Sequence, residues 1–120
     1  NFDSLPDLFH SLCLEPRERA AADYLRGMGA SGLGVEAAAR TAAVLSTGAE
    51  GAIPLKEGYA AAMAAQNTSY ACVEKNIRSM VGKLQAGACG EYQALMGGLP
   101  AERPSNELFL RRLARRILEW

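Results

Sequence analysis

Three alanine-rich blocks constrain the fold of this chain more than any other feature. They read RAAADYL at 19–25, VEAAARTAAVL at 35–45 and YAAAMAAQ at 59–66. Alanine has the highest helix propensity, and its small side chain lets neighbouring helices approach closely. No segment alternates β-branched and polar residues in the way a half-buried strand does. The sequence therefore predicts an all-α fold.

Proline, glycine and capping residues divide the chain into about six predicted helices. The first begins near Pro16 and ends near Gly27, and the second spans roughly Val35–Ser46. The remaining starts lie after Pro54, at the Asn67–Ser69 turn, within EYQALMG at 91–97, and after Pro104–Ser105. We expect residues 1–15 to form a lead-in or linker, with one short helix near Asp7–Leu12. Residues 16–120 then form one compact helical bundle, a size that suits a single domain.

Charge is balanced over the whole chain but not along it. The 13 Lys and Arg residues equal the 13 Asp and Glu residues. Residues 1–66 carry five cations and eight carboxylates, a net charge of −3, and residues 67–120 carry eight and five, a net charge of +3. The second half is therefore where we expect an anionic partner to bind.

Three scattered cysteines, Cys13, Cys72 and Cys89, form no Cys-x-x-Cys pair. An odd, unpaired set argues against a secreted disulfide framework and favours a reducing compartment, so we predict a cytoplasmic protein. No apolar run approaches membrane-spanning length, and we expect no membrane partner. His10 is the only histidine, which argues against a zinc site and leads us to predict no metal ligands.

The sequence contains little that indicates enzymatic activity. GMGASG at 27–32 matches the glycine spacing of dinucleotide-binding loops, but it follows a predicted helix instead of a strand, so a plain helix–helix turn is favoured. A Cys–His pair between His10 and Cys72 or Cys89 has no supporting residue, and no carboxylate pair suggests general acid–base work. We therefore predict no catalytic residues, no cofactor and no enzymatic activity.

The segment NTSYACVEKNIRSMVGKL at 67–84 forms an amphipathic helix on a helical wheel. The wheel predicts one inward face, made of Tyr70, Val73, Ile77, Met80, Val81 and Leu84. The opposite face carries small residues and two long cations, with Cys72 and Glu74 on its flanks: Ala71, Lys75, Arg78, Ser79 and Gly82. A helix that enters a DNA major groove needs this combination of low bulk and long donors.

The helix before this segment and the short turn between them complete a helix-turn-helix pattern. We expect the third and fourth helices to bind double-stranded DNA, with residues 69–85 as the recognition helix. Lys75 and Arg78 would enter the major groove, and Glu74 would orient them or accept a hydrogen bond from a cytosine amino group. The residues expected to hold phosphates are Asn67, Thr68, Ser69 and Lys83.

The same segment resembles the recognition helix of the stage zero sporulation protein A effector domains, which belong to bacterial response regulators. That family has an Asn-Thr-Thr turn followed by Val-Glu-Arg-x-Ile-Arg, and six positions match it: Asn67, Thr68, Val73, Glu74, Ile77 and Arg78. Lys56 and Tyr59 reproduce the family's Lys-x-x-Tyr spacing, and RPSNELFLRRLARRI resembles its last helix. The opening YLRGMGASG is weakly similar to the family's Leu-Arg-x-Leu-Gly-x-Pro turn.

The resemblance covers about residues 16–120 and implies a six-helix domain that pairs as a homodimer on DNA, with the last helix near the subunit contact. It also implies an upstream receiver domain, for which residues 1–15 could be the linker. Three recognition positions differ: Cys72 and Lys75 stand where the family has arginine, and Ser79 where it has histidine. Cysteine cannot make a bidentate contact to guanine, and lysine makes it less rigidly, so the family's target sequence need not be retained.

The last predicted helix, NELFLRRLARRILEW, supports a second interpretation. Phe109, Leu110, Leu113, Ile117 and Trp120 form its apolar stripe, and four arginines flank the stripe: Arg111, Arg112, Arg115 and Arg116. A basic amphipathic helix either docks on its own domain or contacts a partner. The alternative to DNA binding is therefore a degenerate effector-like domain that acts in protein interaction or dimerisation.

Overall fold

The computed structural model describes residues 14–120, and these form six α-helices with no strand among them. The all-α prediction is thus confirmed. The helices are α1 (Glu15–Gly27), α2 (Leu33–Leu45), α3 (Leu55–Gln66), α4 (Tyr70–Gly87), α5 (Gly90–Met96) and α6 (Asn106–Leu118). Each predicted helix exists, with ends within a few residues of those expected. The predicted short helix at Asp7–Leu12, together with His10 and Cys13, lies outside the described residues.

The alanine-rich helix α2 lies at the centre of the bundle, where it packs against α1, α3, α4 and α6. All five of its alanines are completely buried: Ala37, Ala38, Ala39, Ala42 and Ala43. A helix that contacts four neighbours needs small side chains on most of its circumference, because helix axes at close range leave no room for larger ones. The alanine blocks therefore determine the close packing of the domain as well as its helical class.

Two glycines allow α2 to cross its neighbours at near-backbone contact. A Cβ atom built on Gly34 of α2 would lie 2.5 Å from the backbone oxygen of Asn76 on α4. A Cβ atom on Gly58 of α3 would lie 2.7 Å from the Thr41 Cγ2 atom on α2. The Thr41 hydroxyl also donates to the Gly58 backbone oxygen over 3.3 Å. Only glycine fits at either crossing without movement of the facing helix.

The predicted inward stripes of α4 and α6 form much of the core. All five aliphatic residues of the α4 stripe are buried, as are Phe109, Leu110, Leu113 and Ile117 of α6. Tyr70 and Trp120, which the wheel placed inward, are instead 50% and 52% exposed. Tyr70 is the first residue of α4 and Trp120 follows α6, so both rings lie at the ends of their helices. Their rings lie edge-on to Tyr59 and Tyr24 respectively, each with 5.2 Å between centroids.

The glycine-rich segment that mimics a nucleotide-binding loop is a turn between α1 and α2. It follows a helix, as the sequence predicted, and Gly29 and Gly32 adopt positive φ angles of 96° and 85° within it. Glycine is the residue that adopts such angles without strain.

Within residues 14–120, no helix is long and apolar enough to cross a membrane. The same residues contain no cluster of three or more His, Cys, Asp or Glu suited to a metal ion.

Candidate nucleic-acid interface

The turn between α3 and α4 consists of only three residues, Asn67, Thr68 and Ser69. Asn67 adopts the left-handed conformation, with φ 50° and ψ 54°, which asparagine tolerates better than most residues. Its N–H donates to the Ala64 oxygen over 3.4 Å, and the Thr68 N–H donates to the Met63 oxygen over 3.1 Å. These bonds satisfy carbonyl groups at the end of α3, so the chain reverses direction without a longer loop.

Ser69 begins α4 as its N-cap residue. Its backbone is extended, and its hydroxyl accepts a hydrogen bond from the Cys72 N–H over 3.2 Å. A serine cap of this kind stabilises a helix by about 1 kcal/mol relative to alanine. Ser69 and Asn67 are exposed, whereas Thr68 is half-buried. The positive end of the α4 dipole therefore lies at the surface beside polar side chains, an arrangement that suits an anion.

The outward face of α4 has the composition that the wheel predicted. Ala71, Lys75, Arg78 and Ser79 are exposed, and Gly82 is half-buried. No carboxylate among residues 14–120 forms an ion pair with Lys75. Arg78 differs, because its guanidinium pairs with the Glu74 carboxylate one helical turn earlier. One cation on this face is therefore free to reach a partner, and the other is held along the helix.

Cys72 lies on the flank of this face and is half-buried. The Asn76 side-chain amide donates to its sulfur atom over 3.6 Å. Cys72 and Asn76 are both half-buried, so this flank lies between the exposed face and the buried face of α4. A cysteine side chain in this position offers only a small contact surface.

Ser79 and Lys83, two further residues predicted for the site, line a groove of about 350 Å³ between α4 and the glycine-rich turn. Asn76 and Gly87 line the same groove, and residues 28–34 form its opposite wall. The predicted site residues therefore fall into three groups along α4. The turn group is Asn67, Thr68 and Ser69; the exposed-face group is Glu74, Lys75 and Arg78 with Cys72 on its flank; and the groove group is Ser79 and Lys83.

Two residues that the site prediction did not include lie against α4, and one of them is hydrogen-bonded to it. The Asn106 side-chain amide donates to the Glu74 backbone oxygen over 3.0 Å and to the Tyr59 hydroxyl over 3.2 Å. Arg103 passes over Gly82, with its Cδ atom 3.5 Å from the position that a Cβ atom would take there. Helical spacing gives no signal for either contact. Both residues fall within RPSNELFLRRLARRI, the segment that resembles the family's last helix, which is the one hint in the sequence.

Burial raises the pKa of the Tyr59 hydroxyl above its usual value of 10, and the hydrogen bond from Asn106 opposes that effect. Tyr59 is 1% exposed, so its ring belongs to the core while its hydroxyl meets Asn106 and its ring edge meets Tyr70. The Lys-x-x-Tyr spacing therefore places an exposed lysine, Lys56, one turn before a buried tyrosine that connects α3 to α6.

Comparison of this chain with protein-family models, with curated proteins and with solved structures finds no match.

Proposed function

We propose that this domain binds double-stranded DNA in a sequence-specific manner, with α3, the three-residue turn and α4 acting as a helix-turn-helix. The observation that carries the proposal is the division of α4 into two faces. Its aliphatic stripe is buried, while the opposite face exposes Ala71, Lys75, Arg78 and Ser79. A helix fixed by its core face and slender on its outer face can enter a major groove about 12 Å wide.

Lys75 and Arg78 are the proposed readers. Lys75 has no competing carboxylate among residues 14–120 and reaches a base edge or a phosphate directly. Arg78 has to release its ion pair with Glu74 before it can contact DNA. An exposed i,i+4 ion pair is worth only about 0.3–0.5 kcal/mol, whereas a bidentate arginine–guanine contact gives about 1–3 kcal/mol of discrimination. Loss of the ion pair therefore costs little, and the released Glu74 carboxylate can accept a hydrogen bond from a cytosine amino group.

The turn and the groove supply the proposed backbone contacts. Ser69 and Asn67 are exposed at the positive end of α4, and Lys83 lies two turns beyond Lys75 at the rim of the groove. Contacts of this kind set the position of a protein on DNA and carry no sequence information. Cys72 and Ser79 replace longer side chains of the family that the segment resembles, so we expect a target sequence that differs from the family's.

The resemblance extends the proposal in three ways. The domain would pair as a homodimer on DNA, act downstream of a phosphoacceptor receiver domain in a two-component system, and work in the bacterial cytoplasm during sporulation. Each extension depends on the family likeness alone. The DNA-binding proposal also rests on the exposed face of α4.

A fluorescence anisotropy titration with duplex DNA, repeated at several salt concentrations, tests the proposal. We expect binding whose logarithmic affinity falls with the logarithm of salt concentration, with a slope of about −0.9 for each phosphate neutralised. The Lys75→Ala/Arg78→Ala double variant should lose both specific and part of the nonspecific binding. Arg19→Ala/Arg26→Ala, which removes two exposed cations of α1, is the matched control and should bind as the wild type does. Absence of binding at low salt would refute the proposal.

An interaction domain is the second candidate, and one observation favours it. Leu118 and Trp120 are each about half exposed, and they line a shallow groove together with Pro16 and Ala20 of α1. Exposed apolar residues that adjoin one another commonly mark protein contacts. Sedimentation velocity with Leu118→Ser and with the Lys75→Ala/Arg78→Ala variant separates the candidates. Self-association lost only in Leu118→Ser, without DNA binding by the wild type, would favour the second.

A further inference from the structure

Three arginines of α6 surround a cleft between α5 and α6 that the DNA-binding proposal does not use. The cleft has a volume of about 310 Å³. We call it the arginine cleft and define it by its lining residues: Ala94, Leu95, Arg112, Arg115, Arg116 and Glu119. The arginines occupy positions i, i+3 and i+4 of one helix, which places their side chains on a common face.

The charges in the arginine cleft do not balance. Three guanidinium groups face one carboxylate, so three positive charges and one negative charge leave a net charge of +2. Arg116 pairs with Glu119 over 3.1 Å. Arg112 and Arg115 form no ion pair with any carboxylate of residues 14–120. Like charges this close repel one another, and a bound dianion removes that repulsion.

The guanidinium groups differ in burial, which is useful for capture of an anion. Arg112 is half-buried and lies beside the α5–α6 connection, where a Cβ atom on Gly97 would lie 3.7 Å from its Nη1 atom. Arg115 is exposed. A partly fixed guanidinium loses little conformational entropy on binding, and a free one can close over the ligand. Planar guanidinium forks match the oxygen geometry of a phosphoryl group and bind it in a bidentate manner.

The dimensions of the arginine cleft favour a small ligand over a macromolecule. Its volume lies at the lower end of the range of about 300–1,000 Å³ found for small-molecule pockets. Ala94 and Leu95 of α5 are the two apolar residues that line it.

From these observations we propose that the arginine cleft binds a small dianionic phosphoryl compound, either an inorganic phosphate species or a phosphate monoester. The charge of the ligand matches the uncompensated charge of the cleft. Arg112 and Arg115 make the principal contacts, and Arg116, held by Glu119, contributes from the side. This binding site is independent of the recognition helix.

The test is an NMR titration of the ¹⁵N-labelled chain with inorganic phosphate and, separately, with phenyl phosphate, at constant ionic strength and at a pH at which both probes are dianions. We expect saturable shifts of amide signals in α5 and the second half of α6. The Arg112→Gln/Arg115→Gln double variant should lower the affinity about tenfold or more, because charge-assisted hydrogen bonds are lost. The relative affinities of the two probes distinguish the inorganic species from the monoester.

Lys56→Gln/Arg19→Gln is the matched control, since it removes the same two charges at exposed positions outside the cleft. It should retain the wild-type affinity. Arg115→Gln alone, at an exposed position, serves if the double variant fails to fold, and it should weaken binding by itself. Three results would overturn the proposal: linear shifts without saturation, equal losses in both double variants, or shifts in the cleft caused by duplex DNA and by neither phosphate probe.

Discussion

The side-chain amide of Asn106 donates a hydrogen bond to the backbone oxygen of Glu74 over 3.0 Å, which joins the first residue of α6 to the proposed recognition helix. The same amide donates to the Tyr59 hydroxyl on α3 over 3.2 Å. One side chain therefore connects α3, α4 and α6. Because Glu74 also carries the carboxylate that pairs with Arg78, Asn106 fixes the part of α4 from which the proposed DNA contacts project.

Substitution of Asn106 should destabilise the domain through lost donors and not through lost volume. Asn106→Ala leaves the Glu74 oxygen and the Tyr59 hydroxyl without this partner, at a cost of about 1–3 kcal/mol in the free energy of unfolding. Asn106→Asp keeps the size but places a carboxylate oxygen against the Glu74 oxygen, so we expect a loss at least as large at neutral pH. Urea denaturation measures both values.

Asn76→Asp is the matched control for this change. Asn76 donates only to the Cys72 sulfur over 3.6 Å, a weak contact, so the same substitution there should alter the free energy of unfolding by less than about 0.5 kcal/mol. Wild-type stability in Asn106→Asp would contradict the role assigned to the amide donor.

The two glycine crossings of α2 give a second prediction. Gly34→Ala places a methyl group 2.5 Å from the Asn76 backbone oxygen, which cannot rotate away. Gly58→Ala places one 2.7 Å from the Thr41 methyl group. Overpacking of this kind costs about 1–3 kcal/mol, more than the roughly 1 kcal/mol that alanine gains over glycine in a helix. Both variants should therefore unfold more easily, with the larger loss for Gly34→Ala.

Gly82→Ala provides the comparison, because its added methyl group would meet only the flexible Arg103 side chain, at an ordinary distance of 3.5 Å. Here helix propensity should dominate, and we expect stability to rise by up to about 1 kcal/mol. Thermal denaturation of the three variants ranks them. A destabilised Gly82→Ala variant together with an unaffected Gly34→Ala variant would contradict the predicted close contact at Gly34.

The sequence was a good guide wherever a single helix contained the information. The buried stripe of α4 follows from a period of 3.6 residues, and the pairing of Glu74 with Arg78 follows from their spacing of four. Tyr70 shows the limit of this reasoning. A helical wheel gives the direction of a side chain, but not whether a neighbouring helix extends far enough to cover it.

Contacts between helices could not be read in the same way. Asn106 and Glu74 are 32 residues apart, and Gly34 meets Asn76 across an even longer separation. Which residues meet depends on how the helices cross, and the crossing depends in turn on the small residues at each interface. For the candidate site, the sequence predicted the exposed cations, but it did not predict that Ser79 and Lys83 border a groove with the glycine-rich turn.

Alkaline pH should destabilise the domain because buried tyrosines resist ionisation. Burial raises the pKa of Tyr24, Tyr59 and Tyr92 above 10 in the folded chain. Below pH 10 these hydroxyls are protonated in both states and stability is unaffected. Above pH 10 the unfolded chain releases protons that the folded chain retains, so the free energy of unfolding falls by about 1.4 kcal/mol per pH unit for each retained proton.

Tyr92→Phe tests this dependence at one position. The variant loses the hydrogen bond to the Gln85 side chain, 2.6 Å long, and so starts from a lower stability at neutral pH. Its free energy of unfolding should nevertheless fall less steeply between pH 10 and pH 11, by at most about 1.4 kcal/mol per unit, because one retained proton is missing. Equal slopes for the variant and the wild type would show that Tyr92 ionises normally.

Ser69→Asp should separate the stability of α4 from its proposed contact with DNA. Aspartate caps a helix about as well as serine, and its charge interacts favourably with the positive end of the dipole, whereas Ser69→Ala should lose about 1 kcal/mol. If phosphates approach Ser69, a carboxylate there repels them and weakens DNA binding even though the fold is intact.

Ser105→Asp is the matched control, because Ser105 caps α6 in the same way, accepting from the Leu108 N–H over 3.1 Å. Anisotropy titrations should then show weaker binding for Ser69→Asp alone; equal affinities in the two aspartate variants would place the DNA backbone away from the start of α4.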